Sequence, residues 1–169
     1  QNNLYIDGEI GIGLGGNVAG EYRFKNVEVT ENVITKMNKS RTFNRDIAWG
    51  IEIRDWDGGV VSNNYIIHND QKNSYAIATR GTARNVIISR NVIYDFKNVL
   101  NAIWIKNDDG PGVSGFSFSE NFVQLPFNSG TTIRVEYDTL GKWTFLNNKY
   151  YSSREESRRF YANGTDMNL

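Results

Sequence analysis

Apolar and polar positions alternate with a period of two along most of the chain, in short bursts broken by Asn, Gly, Asp and Ser. Such bursts predict short, half-buried strands, and no stretch carries a sustained helical period. The bursts recur around an asparagine. Val29-Thr30-Glu31-Asn32-Val33-Ile34 returns as Val61-Ser62-Asn63-Asn64-Tyr65-Ile66, as Ile88-Ser89-Arg90-Asn91-Val92-Ile93 and as Phe118-Ser119-Glu120-Asn121-Phe122-Val123. A weaker copy is Phe145-Leu146-Asn147-Asn148-Lys149-Tyr150, and the asparagines stand 32, 27, 30 and 27 residues apart.

A further strand follows each asparagine at a nearly fixed offset. Ile103 and Ile105 lie 12 and 14 residues after Asn91, Ile133 and Val135 equally far after Asn121, and Phe160 and Ala162 after Asn148. Ile77 and Thr79 come one residue later after Asn64. In the first copy Ile51 and Ile53 are delayed by Lys36 to Asp46, which reads as a surface insertion. Three strands per repeat of roughly 25–30 residues is the arithmetic of a solenoid. The expected fold is all-β: a single right-handed parallel β-helix of five to six coils, with three short strands per coil. It forms one domain, 1–169, with the repeat over about 24–162.

The period assigns faces. Val27 and Val29, Gly59 and Val61, Val86 and Ile88, Phe116 and Phe118, and Trp143 and Phe145 should point inward, as should Ile34, Ile66, Ile93, Val123 and Tyr150. Burial at roughly 1.5–3 kcal/mol per large side chain drives this stacking. The repeated asparagine sits at a bend, where it tolerates a left-handed backbone. Pointing inward, its amide can bond to the asparagine one turn away and form a ladder.

Composition narrows the function. Lysine plus arginine balances aspartate plus glutamate at 19 each, which argues against a nucleic-acid binder or a polybasic membrane-surface protein. No apolar run approaches the roughly 18 residues of a membrane span. Cysteine is absent and histidine occurs once, at His68, which removes disulfides, thiol catalysis and two-histidine metal sites. The chain opens on Gln1 with no signal segment and is read as part of a longer chain continuing past Leu169. The opening Gly11-Ile12-Gly13-Leu14-Gly15-Gly16 lacks the Lys-Ser/Thr and helix of a nucleotide loop, and reads as an early turn with Ile10, Ile12 and Leu14 inward.

On these asparagine repeats the chain resembles the parallel β-helix family found in pectate lyases, alginate lyases and epimerases, related glycoside hydrolases and phage tailspikes. The end, from Lys149-Tyr150-Tyr151 to Asn163-Gly164-Thr165, is similar to late turns of secreted members. The resemblance implies an extracellular or cell-envelope setting. It also implies a sugar groove along residues 51–54, 77–80, 103–106 and 133–136.

The spacing itself shows which side chains face outward there. Glu52, Ala78, Trp104 and Arg134 form one row, and Arg54, Arg80, Lys106 and Glu136 the next. Stacked cations repel, by about 0.2–1 kcal/mol per pair, and suit an anionic partner. A uronate polysaccharide fits, with Arg54, Arg134, Glu52 and Glu136 contacting it and Trp104 stacking on a sugar face. Elimination or epimerisation would need a base and an enolate-stabilising cation. The resemblance to alginate lyases implies Arg80 and Lys106 for these roles.

The same residues also make a plain surface. Glu52, Asp55, Asp57 and Glu136 could neutralise the cations, and the chain would then be a structural or adhesive segment of a surface protein or tailspike. Turns carrying Asp55, Asp57, Asp108 and Asp109 are weak calcium candidates, since Asp before Gly also makes an ordinary turn. No cofactor is otherwise expected. An open terminal coil would be an unpaired edge, inviting self-association or continuation.

Overall fold

In a computed structural model, residues 1–15, 22–38, 47–67, 73–94, 99–106, 112–125, 131–136, 143–152, 160–162 and 165–167 are described. They form a parallel β-solenoid of three sheets. Sheet A runs through β1 (Leu4–Ile6), β4 (Val33–Thr35), β7 (Tyr65–Ile67), β10 (Val92–Tyr94), β14 (Phe122–Leu125) and β17 (Lys149–Ser152). Sheet B runs through β2 (Ile10–Leu14), β5 (Ile47–Ile53), β8 (Asn73–Arg80), β11 (Val99–Lys106), β15 (Thr131–Glu136) and β18 (Phe160–Ala162). Sheet C runs through β3 (Phe24–Thr30), β6 (Trp56–Ser62), β9 (Ala83–Ser89), β13 (Ser117–Ser119) and β16 (Thr144–Leu146), with β12 (Val113–Ser114) also on β9.

Every pairing is parallel but one: β19 (Thr165–Met167) folds back antiparallel on β18 and closes that edge of sheet B. From Asn32 to Asn148 the chain makes four full turns, and the expected five to six coils counted the partial turns at the ends as well. No helix among the described residues is long and apolar enough to cross a membrane.

The core is the expected stack. Ile34, Ile66, Ile93 and Val123 are fully buried in consecutive turns, as are Val61, Ile88 and Phe118. Val27, Trp143, Phe145 and Tyr150 pack against this cluster but stay partly open, because they lie in or beside terminal coils. Phe118 lies 5.7 Å from Trp143 and 5.0 Å from Phe145, nearly parallel to both rings.

The asparagine ladder is complete and one rung longer than the repeat indicated. Asn3 Nδ2 donates to Asn32 Oδ1 at 2.9 Å, and the same bond runs Asn32 to Asn64, Asn64 to Asn91, Asn91 to Asn121 and Asn121 to Asn148 at 2.9–3.0 Å. Each acceptor oxygen also receives the backbone N–H of the previous asparagine. The remaining amide proton of Asn64, Asn91, Asn121 and Asn148 goes to the backbone carbonyls of Val29, Val61, Ile88 and Phe118. The buried amides of Asn64, Asn91 and Asn121 therefore carry two donated and two accepted bonds each, which offsets their desolvation.

One expectation is corrected. The left-handed residue at this bend is not the ladder asparagine but its predecessor: Asn2, Glu31, Asn63, Arg90, Glu120 and Asn147 have φ of 53–58°. The ladder residue is left free to aim its amide inward; three of the six predecessors are asparagine, which tolerates this backbone, and three are the charged Glu31, Arg90 and Glu120.

A second correction concerns Met37, which lies in the expected surface insertion yet is fully buried in the core. Of that insertion, 39–46 lie outside the described residues. A third concerns the glycine-rich opening. Ile10 pairs with Trp49 on the outward row, while Gly11 faces inward, where a Cβ would sit 2.8 Å from Ile34 Cγ2.

Candidate functional site

The outer face of sheet B is where the expected cations gather, and its shape comes from a doubled inward step in β5, β8 and β11. Gly50 and Ile51 both face inward, since a Cβ on Gly50 would meet Ile66 Cγ2 at 3.1 Å and Ile51 is in the core. Ala76-Ile77 and Ala102-Ile103 repeat this, each pair lying in the same core cluster. The doubled inward step turns the preceding residue outward. Trp49 and Tyr75 therefore leave the core and form a separate cluster with Ala78 and Trp104.

Three rows result. Trp49, Tyr75, Asn101 and Thr131 align in the first. Gly13, Glu52, Ala78, Trp104, Arg134 and Tyr161 align in the second. Arg80, Lys106 and Glu136 align in the third. Arg54 follows β5 directly and hydrogen-bonds from its backbone N–H to Leu14 O at 3.2 Å.

The cations rest on aromatic rings. The Arg80 guanidinium lies 5.4 Å from the Trp49 ring centre, Lys106 Nζ 5.2 Å from that of Trp104, and the Arg134 guanidinium 4.6 Å from that of Tyr161. Contacts of this kind hold a long side chain in place without using up its hydrogen-bond donors. Carboxylates stand alongside: Glu52, nearly buried, lies 3.7 Å from Arg80, and Glu136 is bonded to Arg134. The ladder of cations is thus answered in part by Glu52 and Glu136, as the plain-surface reading anticipates.

The expected sugar platform at Trp104 is altered by its neighbours. Tyr75 stacks on that ring at 4.5 Å and 18°, so one face is already covered and Lys106 approaches the ring as well.

Sequence reasoning missed Trp49, Tyr75 and Tyr161 because the face was drawn over 51–54, 77–80, 103–106 and 133–136, which stops short of all three. The available signal was the shared offset of Trp49 and Tyr75, each two residues before the paired core isoleucines Ile51 and Ile77.

The acidic candidates are engaged elsewhere. Asp55 is buried and accepts a hydrogen bond from Thr82 Oγ1 at 2.8 Å. Asp57 forms a two-pronged pair with Arg84 on sheet C, and this guanidinium holds its carboxyl below the usual carboxylate range. Among the described residues no three His, Asp or Glu gather as metal ligands. Asp108, Asp109 and His68 lie outside the described residues.

Burial pushes the Tyr75 phenol above its usual value, and burial also raises Tyr150. The stability these neutral phenols contribute is present below about pH 10 and is lost as pH rises, because the unfolded chain ionises first. An ultraviolet absorbance titration should show Tyr75 and Tyr150 ionising after the exposed tyrosines, and Tyr75→Phe should remove part of the late signal.

No known protein family, curated protein or solved structure matches the chain.

Proposed function

We propose that the outer face of sheet B binds an acidic, uronate-type polysaccharide. The observation that carries this reading is the set of Arg80, Lys106 and Arg134 on three consecutive strands, Arg80 and Lys106 in one row and Arg134 in the row beside it, each cation supported by a ring. Strands repeat at about 4.8 Å, so these cations, staggered over two adjacent rows, offer an extended polyanion a positive group at each of three steps along the axis. Glu52 and Glu136 keep the free face from repelling itself and leave a polar margin for sugar hydroxyls. The proposed setting is extracellular or cell-envelope. If the face is catalytic, lyase or epimerase chemistry with Arg80 and Lys106 fits better than hydrolysis.

The second reading is a non-catalytic structural or adhesive solenoid of the kind seen in the pectate-lyase-like and tailspike group. The pairing of Arg80 with Glu52 and of Arg134 with Glu136 favours it.

Affinity electrophoresis through alginate and polygalacturonate gels separates the two. The native protein should be retarded in low salt, and an Arg54→Ala, Arg80→Ala, Lys106→Ala triple variant should migrate freely. Equal migration of both proteins in these gels overturns the polyanion reading and leaves the structural one.

A further inference from the structure

Tyr75 stands at the middle of the outer face of sheet B. On β8 it pairs in register with Trp49 of β5 on one side and with Asn101 of β11 on the other. Its ring stacks on that of Trp104 at 4.5 Å, and it shares a cluster with Trp49 and Ala78. The Arg80 guanidinium lies over Trp49, and Lys106 Nζ lies over Trp104. Two cations of the third row therefore rest on rings that meet at Tyr75.

Burial decides what these rings can do. Trp49 is 4% exposed and Tyr75 7%, and Ala78 is fully covered, although all three belong to the outward rows. A ring so enclosed offers almost no face to a ligand and acts only through the side chains around it. Burial raises the Tyr75 phenol, and the charges of Arg134, Glu136 and Arg80 reach it as well, which places it among the charged groups of this face. Arg80 and Lys106 are direct neighbours across β8 and β11, where like charges repel. Attraction of each cation to its own ring offsets that repulsion and gives each a direction. Stacked rings prefer an offset geometry, so Tyr75 fixes the lean of Trp104.

We infer that Tyr75 is a positioning residue of this face: lying on the strand between Trp49 and Trp104, it holds both rings and so sets where Arg80 and Lys106 stand. It acts on a ligand through these two cations. The purpose of this arrangement rests on the polyanion reading, but its geometry does not, so the two fail separately.

The test compares Tyr75→Phe, which keeps the flat ring, with Tyr75→Leu, which keeps apolar bulk without one. Melting checks that both are folded. Rings beneath Arg80 and Lys106 shift the side-chain proton resonances of these residues upfield, and Trp49→Ala and Trp104→Ala give the unshifted positions. Tyr75→Leu should move both sets of signals towards those positions, and Tyr75→Phe should leave them as in the native protein. Phe145→Leu, a core change on sheet C, should lower the melting temperature without moving them, which a merely structural role of Tyr75 does not predict. In alginate gels Tyr75→Leu should bind about fivefold more weakly than the native protein, and Tyr75→Phe equally well. Unchanged signals in Tyr75→Leu overturn the inference, as does their loss in Tyr75→Phe or a Tyr75→Leu protein retarded as fully as the native one. If alginate does not retard the native protein, the polyanion reading falls and the proton signals alone decide the role of Tyr75.

Discussion

Replacing Asn91 with alanine is expected to destabilise the solenoid by about 2–5 kcal/mol. The change leaves the backbone N–H and one side-chain proton of Asn64 without their acceptor in a fully buried site. It also removes the side-chain donor to Asn121 Oδ1 and the second bond to Val61 O. Each orphaned buried group costs about 1–3 kcal/mol, and whole domains are stable by only about 5–15. Denaturant unfolding of Asn91→Ala beside Asn148→Ala would measure this. Asn148 is itself part-exposed, so water can enter the space its amide leaves and reach the two donors of Asn121, and its loss should cost less. Each turn contacts only its neighbours, so hydrogen exchange should rise first in the turns of Asn64 and Asn121. Equal cost at both positions would show that the ladder is not a buried network.

The second large effect is expected at Phe118. Its side chain is fully buried between Ile88 and Phe145, with Phe116 and Trp143 also stacked nearby. Phe118→Ala removes a ring that its neighbours, themselves rings held in register, cannot close over. A loss of about 3–5 kcal/mol follows. Ile87→Ala, on the same sheet but outward and 45% exposed, should change stability by only about 0.5 kcal/mol. The melting temperatures of the two variants provide the comparison, and similar shifts would contradict the assigned faces.

The fold was legible because the asparagine must recur at an offset fixed by strand geometry, so its spacing exposes the turn length. Asn3 escaped notice because only three residues precede its strand and no full copy of the repeat surrounds it. The left-handed position before each asparagine gave no glycine to read: Asn2, Asn63 and Asn147 occupy it in three turns and Glu31, Arg90 and Glu120 in the other three. On sheet B the row of Arg80, Lys106 and Glu136 was legible from period two alone. The rings beneath the cations were not, since the doubled inward step at Gly50-Ile51 shifts Trp49 and Tyr75 to the outer face. A glycine or alanine before an isoleucine fits equally into a strand that alternates without interruption.

Backbone hydrogen bonds in a sheet leave little net dipole. The asparagine column does not cancel in this way. From Asn3 to Asn148 every side-chain amide donates in the same direction, so a line of dipoles, each about 3.5 D for an amide, runs head to tail through the protein. Its positive pole lies at Asn148 and its negative pole at Asn3. The two ends of the solenoid are therefore electrically unlike even in a chain of zero net charge, and anions are drawn to the Asn148 end.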